Sequence, residues 1–131
     1  MAVLPLEALW WADDMRAFSQ GRKEQWKWTL MIMQPDFITK ALVQEAVGQV
    51  KVKKNPLSLP LLRFESFAEG KAAQIMHIGP FSEIGKTVEK VHAFIKESGQ
   101  VISGKHHEIY LSDIRRAAPE KWKTIFRQAI S

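Results

Sequence analysis

The residues with the clearest chemical potential lie in one short run, residues 106–111, with the sequence His-His-Glu-Ile-Tyr-Leu. The run predicts a β-strand, in which successive side chains point to opposite faces. His106, Glu108 and Tyr110 therefore share one face, and the alternate face is more apolar. We expect the apolar face to pack on a helix, which makes the face that carries Glu108 the floor of a cleft.

Glu108 is the central candidate because a carboxylate in an aromatic-lined cleft attracts organic cations by charge. Each aromatic ring face adds a cation–π attraction of roughly 0.5–2 kcal/mol. A carboxylate withdrawn from water can also serve as a proton donor or base. Spacing alone leaves a second interpretation open, a solvent-exposed glutamate paired with a lysine. Tyr110, the only tyrosine of the chain, is expected to hydrogen-bond a ligand, to orient Glu108, or simply to fill a half-buried strand position.

Tryptophans and another histidine provide further candidates. Trp10 and Trp11 point to opposite faces if they belong to a strand, so only one of them can line the cleft. Trp26 and Trp28 share a face and fit a core, a cleft wall or a partner surface. His77 stands just before a Gly-Pro turn, where it either borders the cleft or has a structural role.

The sequence predicts neither a metal site nor a cofactor. The neighbouring strand residues His106 and His107 diverge, and the chain has no cysteine and no helical His-x-x-x-His pair. It also has no serine or cysteine nucleophile motif, phosphate-binding loop or dinucleotide fingerprint. Any catalysis must therefore be carboxylate-assisted addition of water.

The first half of the chain predicts a hairpin and a helix. Ala2–Ala12 is predicted to form an apolar strand. Because Pro5 has no backbone N–H to donate to a neighbouring strand, we expect this strand at a sheet edge or beside a bulge. After a polar segment, residues 25–33 form a second strand that becomes wholly apolar, as a strand buried on both faces would. Thr39 is the predicted N-cap of a helix that ends before Pro56.

The second half predicts the order strand, strand, helix, strand, strand. The strands are expected at residues 61–66, 72–78, 106–111 and 122–129, and the helix, with Ser82 as its N-cap, runs to about Glu97 and stops at Ser98-Gly99. The predicted fold class is therefore α+β, an antiparallel sheet with helices on one face.

Length and composition describe an ordinary globular domain of 131 residues, with 46% hydrophobic and 25% charged residues. The formal charge of +5 suggests nucleic-acid binding, but the basic residues are scattered, so nucleic acid is not the expected partner. The start lacks the basic region of a signal peptide, and no apolar run approaches the roughly 18 residues of a membrane helix. We therefore expect a cytoplasmic protein, which the absence of cysteine suits.

Several stretches together resemble one protein family. They are Ala-Gln-Ile-Met-His-Ile-Gly-Pro-Phe at 73–81, His-His-Glu-Ile-Tyr-Leu-Ser-Asp at 106–113 and Ala-Pro-Glu-Lys-Trp-Lys-Thr at 118–124, with residues 5–10 and 33–37 upstream. On these motifs the sequence resembles the gyrase-inhibitor-like (GyrI-like) small-molecule-binding domain in its stand-alone bacterial form. The resemblance implies a pseudo-twofold pair of β-α-β-β modules around a central cleft.

The resemblance also implies roles for individual residues. Glu108 matches the acidic residue in the drug pockets of multidrug-sensing regulators, and Trp10 matches a tryptophan that lines the pocket of related hydrolases. Phe81 stands where the family usually has a tyrosine, so a phenolic hydroxyl is lost from the pocket wall. The expected ligand-binding residues are Glu108, Tyr110, Trp10, Phe81, His77 and His106, and Glu108 and Tyr110 are the catalytic pair if the domain is an enzyme.

The chain departs from the family pattern at its start, which lies about where the second strand of the first module should begin. We therefore expect a single GyrI-like domain with an incomplete first module. In this layout residues 1–34 are the remnant of that module as a hairpin, residues 35–60 a connecting helix and linker, and residues 61–131 the complete second module. A homodimer is the expected way to cover the cleft wall and sheet edge that remain open.

Three functions remain open. The leading one is the binding of amphipathic, cationic or planar aromatic small molecules in the aromatic-lined cleft. The second is a hydrolase that opens the cyclopropane ring of DNA-alkylating natural products. The third is a gyrase-modulating protein-interaction domain.

Overall fold

The computed structural model describes residues 3–13 and 23–131. The chain divides into two units, one comprising Met1–Met33 and Glu69–Ser131 and the other Gln34–Ala68. The described residues contain two α-helices, α1 (Lys40–Lys53) in the second unit and α2 (Ile84–Glu97) in the first. The beginning of the predicted first strand and most of the polar segment after it lie outside the described residues.

Among the described residues of the first unit, five strands form one antiparallel sheet. They are β1 (Leu6–Trp11), β2 (Lys27–Ile32), β3 (Ala72–Ile78), β4 (Ile102–Tyr110) and β5 (Lys123–Ile130). Their order across the sheet is β2-β1-β4-β5-β3, and every neighbouring pair is antiparallel. This arrangement confirms the predicted fold class. No helix among residues 3–13 and 23–131 is long and apolar enough to cross a membrane.

Strands β1 and β2 form the predicted hairpin, with Trp10 opposite Trp28, but two details of that prediction are wrong. β1 lies inside the sheet between β2 and β4, and Pro5 precedes its first residue, so the proline does not interrupt the strand pairing. β2 is not buried on both faces, because it is an edge strand in which Leu30 and Ile32 are 56% and 44% exposed. Among the described strands, the apolar run of β2 therefore lies at an edge of the sheet.

Helix α2 packs on the sheet through Val91 and Ile95, which form a core cluster with Phe126 of β5. Phe126 pairs directly with Glu108 of β4, and directly paired residues of an antiparallel sheet share a face. Helix α2 therefore packs on the face that carries Glu108, which we term the Glu108 face, and the expectation that it packs on the opposite face, the His107 face, is wrong. The contacts that hold the helix belong to β5 and β3, so the pattern of β4 alone could not reveal them.

The two ends of α2 are formed differently. The helix begins after a short 3-10 turn, Phe81–Glu83, that contains Ser82. The N-cap position is Glu83, without a capping side-chain hydrogen bond, so the predicted Ser82 cap is wrong. The predicted stop is confirmed, because Ser98 Oγ donates to a carbonyl of the last turn at 2.8 Å. Gly99 follows with a φ of +73°, a left-handed conformation that glycine adopts without strain.

In the second unit, Thr39 is the N-cap of α1, as predicted, since its Oγ1 accepts the backbone N–H of Leu42 at 3.2 Å. The strand expected at residues 61–66 is absent, because residues 62–70 form neither helix nor strand. Alternating side chains produce a strand only where a neighbouring strand satisfies the backbone. The second half therefore has the order β3-α2-β4-β5, the β-α-β-β order that the family resemblance implies.

A bulge precedes the functional part of β4. The register between β4 and β5 shifts between residues 102 and 106, and Gly104 lies there with a φ of +75°. A Cβ added to Gly104 would stand 3.1 Å from the Cβ of Ala129, so both conformation and space require glycine. The Gln128 side-chain amide donates to two carbonyl oxygens of the bulge, each at 3.2 Å, and holds it in place.

Candidate functional site

The candidate site lies on β4, on the sheet face that α2 partly covers. Glu108 pairs with Ala8 of β1 on one side and with Phe126 of β5 on the other, and strand alternation places His106 and Tyr110 on the same face. The Glu108 side chain is only 13% exposed. The alternative interpretation, a solvent-exposed glutamate paired with a lysine, is therefore wrong.

A chain of hydrogen bonds runs from β1 to the Glu108 carboxylate. The indole N–H of Trp10 donates to Tyr110 Oη at 3.2 Å, and the Tyr110 hydroxyl donates to Glu108 Oε1 at 2.8 Å. Of the roles open to Tyr110, the geometry supports the orientation of Glu108. Trp10 is thereby drawn into the site, whereas Trp11 points to the opposite face.

The second carboxylate oxygen is held by a histidine. His106 Nε2 lies 2.5 Å from Glu108 Oε2, and the His106 side chain is 18% exposed. The imidazole ring lies against Phe126, with ring centroids 4.4 Å apart and planes inclined by 34°. Both oxygens of Glu108 therefore have partners, and one of those partners, His106, is an imidazole, which has a neutral and a positively charged form.

Two neighbouring groups are kept neutral by their surroundings. Burial, followed by the charge of Glu108, raises the pKa of Tyr110 above its ordinary value, so the phenol remains a hydrogen-bond donor. His92 of α2 contacts Phe126 edge to face, with centroids 6.0 Å apart. Burial, followed by repulsion from His106, lowers the pKa of His92. The charge of the site therefore resides in the Glu108–His106 pair.

Aromatic rings flank this pair on two sides. Phe81, from the turn before α2, lies 5.6 Å from Tyr110 and 4.9 Å from Trp122 between ring centroids. On the other side, Trp10 contacts Trp26 and Trp28 at centroid distances of 6.3 and 6.1 Å. The sequence left the roles of Trp26 and Trp28 open and did not single out Trp122. Trp122 belongs to the 118–124 stretch that carries the family resemblance, and this stretch was the available signal.

His77 does not join the hydrogen-bonded group around Glu108. Its Nδ1 lies 2.6 Å from Thr87 Oγ1 and its Nε2 lies 3.1 Å from the Pro80 carbonyl oxygen. In the neutral ring, Nε2 donates to the carbonyl and Nδ1 accepts the hydroxyl hydrogen. These contacts give His77 a structural role, in which it fixes the turn that positions Phe81.

Thr124 contributes a buried polar atom to the same face. It pairs with Tyr110 of β4 and with His77 of β3, and it is 1% exposed. Within the described part of the chain its hydroxyl has no hydrogen-bond partner. A buried polar group without a partner is rare, and this one lies on the Glu108 face, directly opposite Tyr110.

A second histidine–carboxylate cluster occupies the His107 face. His107 is 1% exposed; its Nε2 lies 2.7 Å from Glu7 Oε1, and its Nδ1 lies 2.9 Å from Glu69 Oε1. The two carboxylates approach from opposite sides of the ring, so they cannot chelate one ion together with it. Among the described residues, no group of histidine, aspartate and glutamate side chains is arranged to hold a metal. Sequence reasoning missed this cluster, because its members are far apart in the chain.

Three solved structures from Listeria innocua are similar to nearly the whole chain. One, described as an uncharacterized conserved protein, is 40% identical with a TM-score of 0.90, and the match covers 99% of this chain and 65% of that one. Two, described as hydrolases, are 40% and 38% identical with TM-scores of 0.81, and each match covers 99% of this chain and 64% of theirs. This chain thus spans slightly less than two thirds of the length of these relatives. No protein of curated function is similar enough in sequence to match it.

A family model agrees with these structural similarities. The model of the GyrI-like small molecule binding domain matches residues 38–126, a range that includes β3, α2, β4 and the start of β5. The matched range is more than half of the chain, and it contains both Glu108 and Tyr110. The resemblance noted in the sequence motifs is therefore confirmed, and the chain belongs to the GyrI-like family of small-molecule-binding domains.

Proposed function

We propose that this domain binds amphipathic organic cations that carry a planar aromatic group, and that Glu108 provides the countercharge. The observation that carries the proposal is the environment of the Glu108 carboxylate. It is largely withdrawn from solvent and held by hydrogen bonds to both oxygens, and its partners Tyr110 and His106 lie against the rings of Phe81 and Phe126. A carboxylate in such surroundings attracts a cation more strongly than one in bulk water, because the local dielectric constant is lower.

The aromatic rings supply the apolar part of the proposed site. Trp28 is 59% exposed and Phe81 is 37% exposed, so part of each ring is available to a ligand. Each ring that faces a cation contributes roughly 0.5–2 kcal/mol of attraction. Tyr110 and His106 hold the carboxylate in one orientation before a ligand arrives, which reduces the conformational freedom lost on binding.

A second function, hydrolysis, is favoured by the two Listeria proteins described as hydrolases, which are 40% and 38% identical over 99% of this chain. Under this hypothesis the ligand is an electrophile that contains a strained cyclopropane ring. Glu108 takes a proton from a water molecule, and the water oxygen forms a bond to a ring carbon. The carbon–carbon bond of the ring breaks, and its electron pair passes into the conjugated system of the ligand, which is then protonated. Trp10 stacks on the ligand and Tyr110 orients the base.

We also propose that two copies of the chain associate. The edge strand β2 exposes Trp28, Leu30 and Ile32 on the Glu108 face, at 59%, 56% and 44%. Exposed apolar edge strands promote pairing with other chains and aggregation, so proteins usually cover or pair them. A second copy would cover this edge and would enclose the Trp10 side of the proposed site.

The test of binding is a comparison of two ligands of nearly the same shape. The cation 10-methylacridinium carries a permanent positive charge, and acridine is neutral in mildly alkaline solution. Tryptophan-quenching titrations with both ligands compare the wild type with Glu108→Gln, and Glu89→Gln, an exposed position on α2, serves as a charge-matched control. All three proteins must first show the same melting behaviour.

Glu108→Gln should weaken binding of the cation by roughly tenfold to a thousandfold, because a largely desolvated charge contact is lost. Binding of acridine should change much less, and Glu89→Gln should bind both ligands like the wild type. Equal weakening for both ligands would give Glu108 a packing role, and no weakening would remove it from the site. If the wild type also consumes a cyclopropane-bearing electrophile that Glu108→Gln binds but does not convert, hydrolysis rather than binding alone is the function of the site.

A further inference from the structure

The Glu108 carboxylate has a positively chargeable partner within the protein itself. His106 Nε2 lies 2.5 Å from Glu108 Oε2, and the two side chains are 18% and 13% exposed. When the imidazole carries a proton on each nitrogen, this pair is a salt bridge, and the negative charge of Glu108 is already neutralised. A cationic ligand that approaches Glu108 then meets a cation already in place.

We propose that His106 competes with the ligand for Glu108, so that binding of an organic cation releases a proton from the His106 ring. This inference rests on the proposed binding of cations at Glu108 and adds the means by which the site selects for charge. Like charges a few ångströms apart repel strongly where water is largely excluded. Loss of the proton removes that repulsion and restores the countercharge that the ligand needs.

The titratable groups described around His106 lie on its own strand and on α2. On β4, Glu108 is the acceptor and Tyr110 keeps its own proton, because burial and the Glu108 charge raise its pKa. On α2, His92 is disfavoured as a second cation, because burial and the nearby His106 lower its pKa. Three described neighbours on the adjacent strands are uncharged: the ring of Phe126 and the cross-strand partner Gln128 on β5, and the cross-strand partner Trp10 on β1.

A neutral ligand has a different effect on the pair. It gains nothing from a free carboxylate, so the His106–Glu108 salt bridge remains closed and no proton leaves. Affinity for cations should therefore rise with pH over the range in which histidine changes its charge, from about pH 6 to pH 8. One released proton allows at most about a tenfold rise in affinity per pH unit. Affinity for neutral aromatic ligands should stay level.

The experiment is isothermal titration calorimetry of the full chain with 10-methylacridinium, whose charge does not change with pH. Titrations in two buffers of different ionisation enthalpy count the protons released, and they are repeated across about pH 6 to pH 8. The wild type is compared with His106→Gln, whose amide can donate to Glu108 but cannot release a proton. His92→Gln, which removes the other histidine near Phe126, is the matched control.

Near the acid end of the range the wild type and His92→Gln should release a substantial fraction of one proton, and the release should decline toward the alkaline end. His106→Gln should release none, and its affinity should not depend on pH. If the wild type binds the cation without releasing a proton, or if His92→Gln abolishes the release, the inference is wrong. The two-buffer measurement on the wild type decides this even if His106→Gln does not fold.

The same data separate this inference from the proposed function. If Glu108→Gln binds the cation as tightly as the wild type, the proposed function fails. If Glu108 is required but no proton is released, the proposed function stands and only the role of His106 is refuted.

Discussion

Tyr110 connects the indole of Trp10 to the carboxylate of Glu108, and this position determines how its phenol ionises. The phenolate form would lose the hydrogen bond to Glu108 and would place two negative charges side by side. Burial and the Glu108 charge therefore raise the pKa of Tyr110 above the ordinary value of 10.0. Since Tyr110 is the only tyrosine of the chain, its ionisation can be observed without interference from other phenols.

We expect the phenolate absorbance of the folded protein to develop well above pH 10, the ordinary value for tyrosine. In Glu108→Gln the midpoint should move down, because the repulsion from Glu108 is removed, but it should stay above the ordinary value, because burial is the larger cause. The measurement is a spectrophotometric titration, accompanied by circular dichroism to show that the fold persists. An unchanged midpoint in Glu108→Gln would contradict the contact between the two side chains.

The same shift links stability to pH at the alkaline end. The folded state holds the Tyr110 proton more tightly than the unfolded state, so the unfolded state releases it first as the pH rises. The contribution of Tyr110 to stability is therefore fully present below about pH 10 and is lost as the pH rises through the pKa of the folded state. Tyr110→Phe should lack this alkaline loss.

At the scale of elements, the His107 cluster links three parts of the first unit. His107 belongs to β4, Glu7 to β1, and Glu69 to the segment that leads into β3. Both ring nitrogens face carboxylate oxygens, so the hydrogen bonds are complete when each nitrogen carries a proton. The side chains of Glu7 and Glu69 are 17% and 12% exposed, so removal of the imidazole would leave two largely buried carboxylates unpaired.

We expect His107→Leu to lower the free energy of unfolding by about 3 kcal/mol or more, as breaking a buried charge cluster usually does. Replacing all three members of the cluster, His107→Leu with Glu7→Gln and Glu69→Gln, should recover part of the loss, because no uncompensated charge remains. Chemical denaturation of the three proteins provides the comparison.

Arg115→Ala, which breaks an exposed ion pair with Asp113, is the control for this series and should leave stability nearly unchanged. If His107→Leu is as stable as that control, the cluster does not hold these elements together. If the triple variant is the least stable protein of the series, the charges of the carboxylates are not the cause of the loss.

Local signals in the sequence were sufficient to predict most helices and strands, and to predict which residues of β4 share the face of the candidate site. The Thr39 cap, the Gly99 stop and the alternation along β4 depend on residues within a few positions of one another, so the chain itself reveals them. The same alternation predicts that Glu108 and Tyr110 share a face of the sheet, and the two side chains are hydrogen-bonded there. Features of this kind follow from backbone geometry alone.

Apart from the Ser82 cap, which the neighbouring turn displaces by one residue, the failures concern partners distant in the sequence. The place of β1 inside the sheet depends on β4, and the face chosen by α2 depends on Phe126. Residues 61–66 alternate like a strand but have no neighbouring strand to satisfy them. His107 meets a carboxylate from β1 and another from before β3, which no spacing rule could foresee. Local patterns supply the elements, and only the assembled sheet shows which side chains meet.

At the scale of the whole molecule, the two edge strands of the sheet, β2 and β3, expose large apolar side chains. The β2 edge exposes Leu30, and the β3 edge exposes Met76 and Ile78 at 42% and 61%. The backbone groups along an edge strand lack a partner strand on one side, which favours association. Of the two edge strands, β2 is the one that pairs with β1, the strand that carries Trp10 of the proposed site.

We expect the wild type to sediment and scatter light as a dimer, with twice the 15.0 kDa mass of the chain. Leu30→Lys should shift it to the monomer, because a charge would have to be buried in the contact. Val52→Lys adds the same charge at a position on α1 that is 88% exposed and should leave the dimer intact. A wild type that remains monomeric at high concentration, or a dimer unaffected by Leu30→Lys, would contradict the role of the β2 edge.

The two consecutive histidines of β4 have a consequence for folding accuracy. His106 and His107 point to opposite faces, and each has its own carboxylate partners. If β4 paired one residue out of step, every side chain would change face, and in one of the two possible directions Glu108 would take the place of His107 between Glu7 and Glu69. Three carboxylates would then be packed together without a countercharge. A shift of β4 in that direction therefore replaces attraction with repulsion, and this arrangement of charges favours the observed register over that misaligned one.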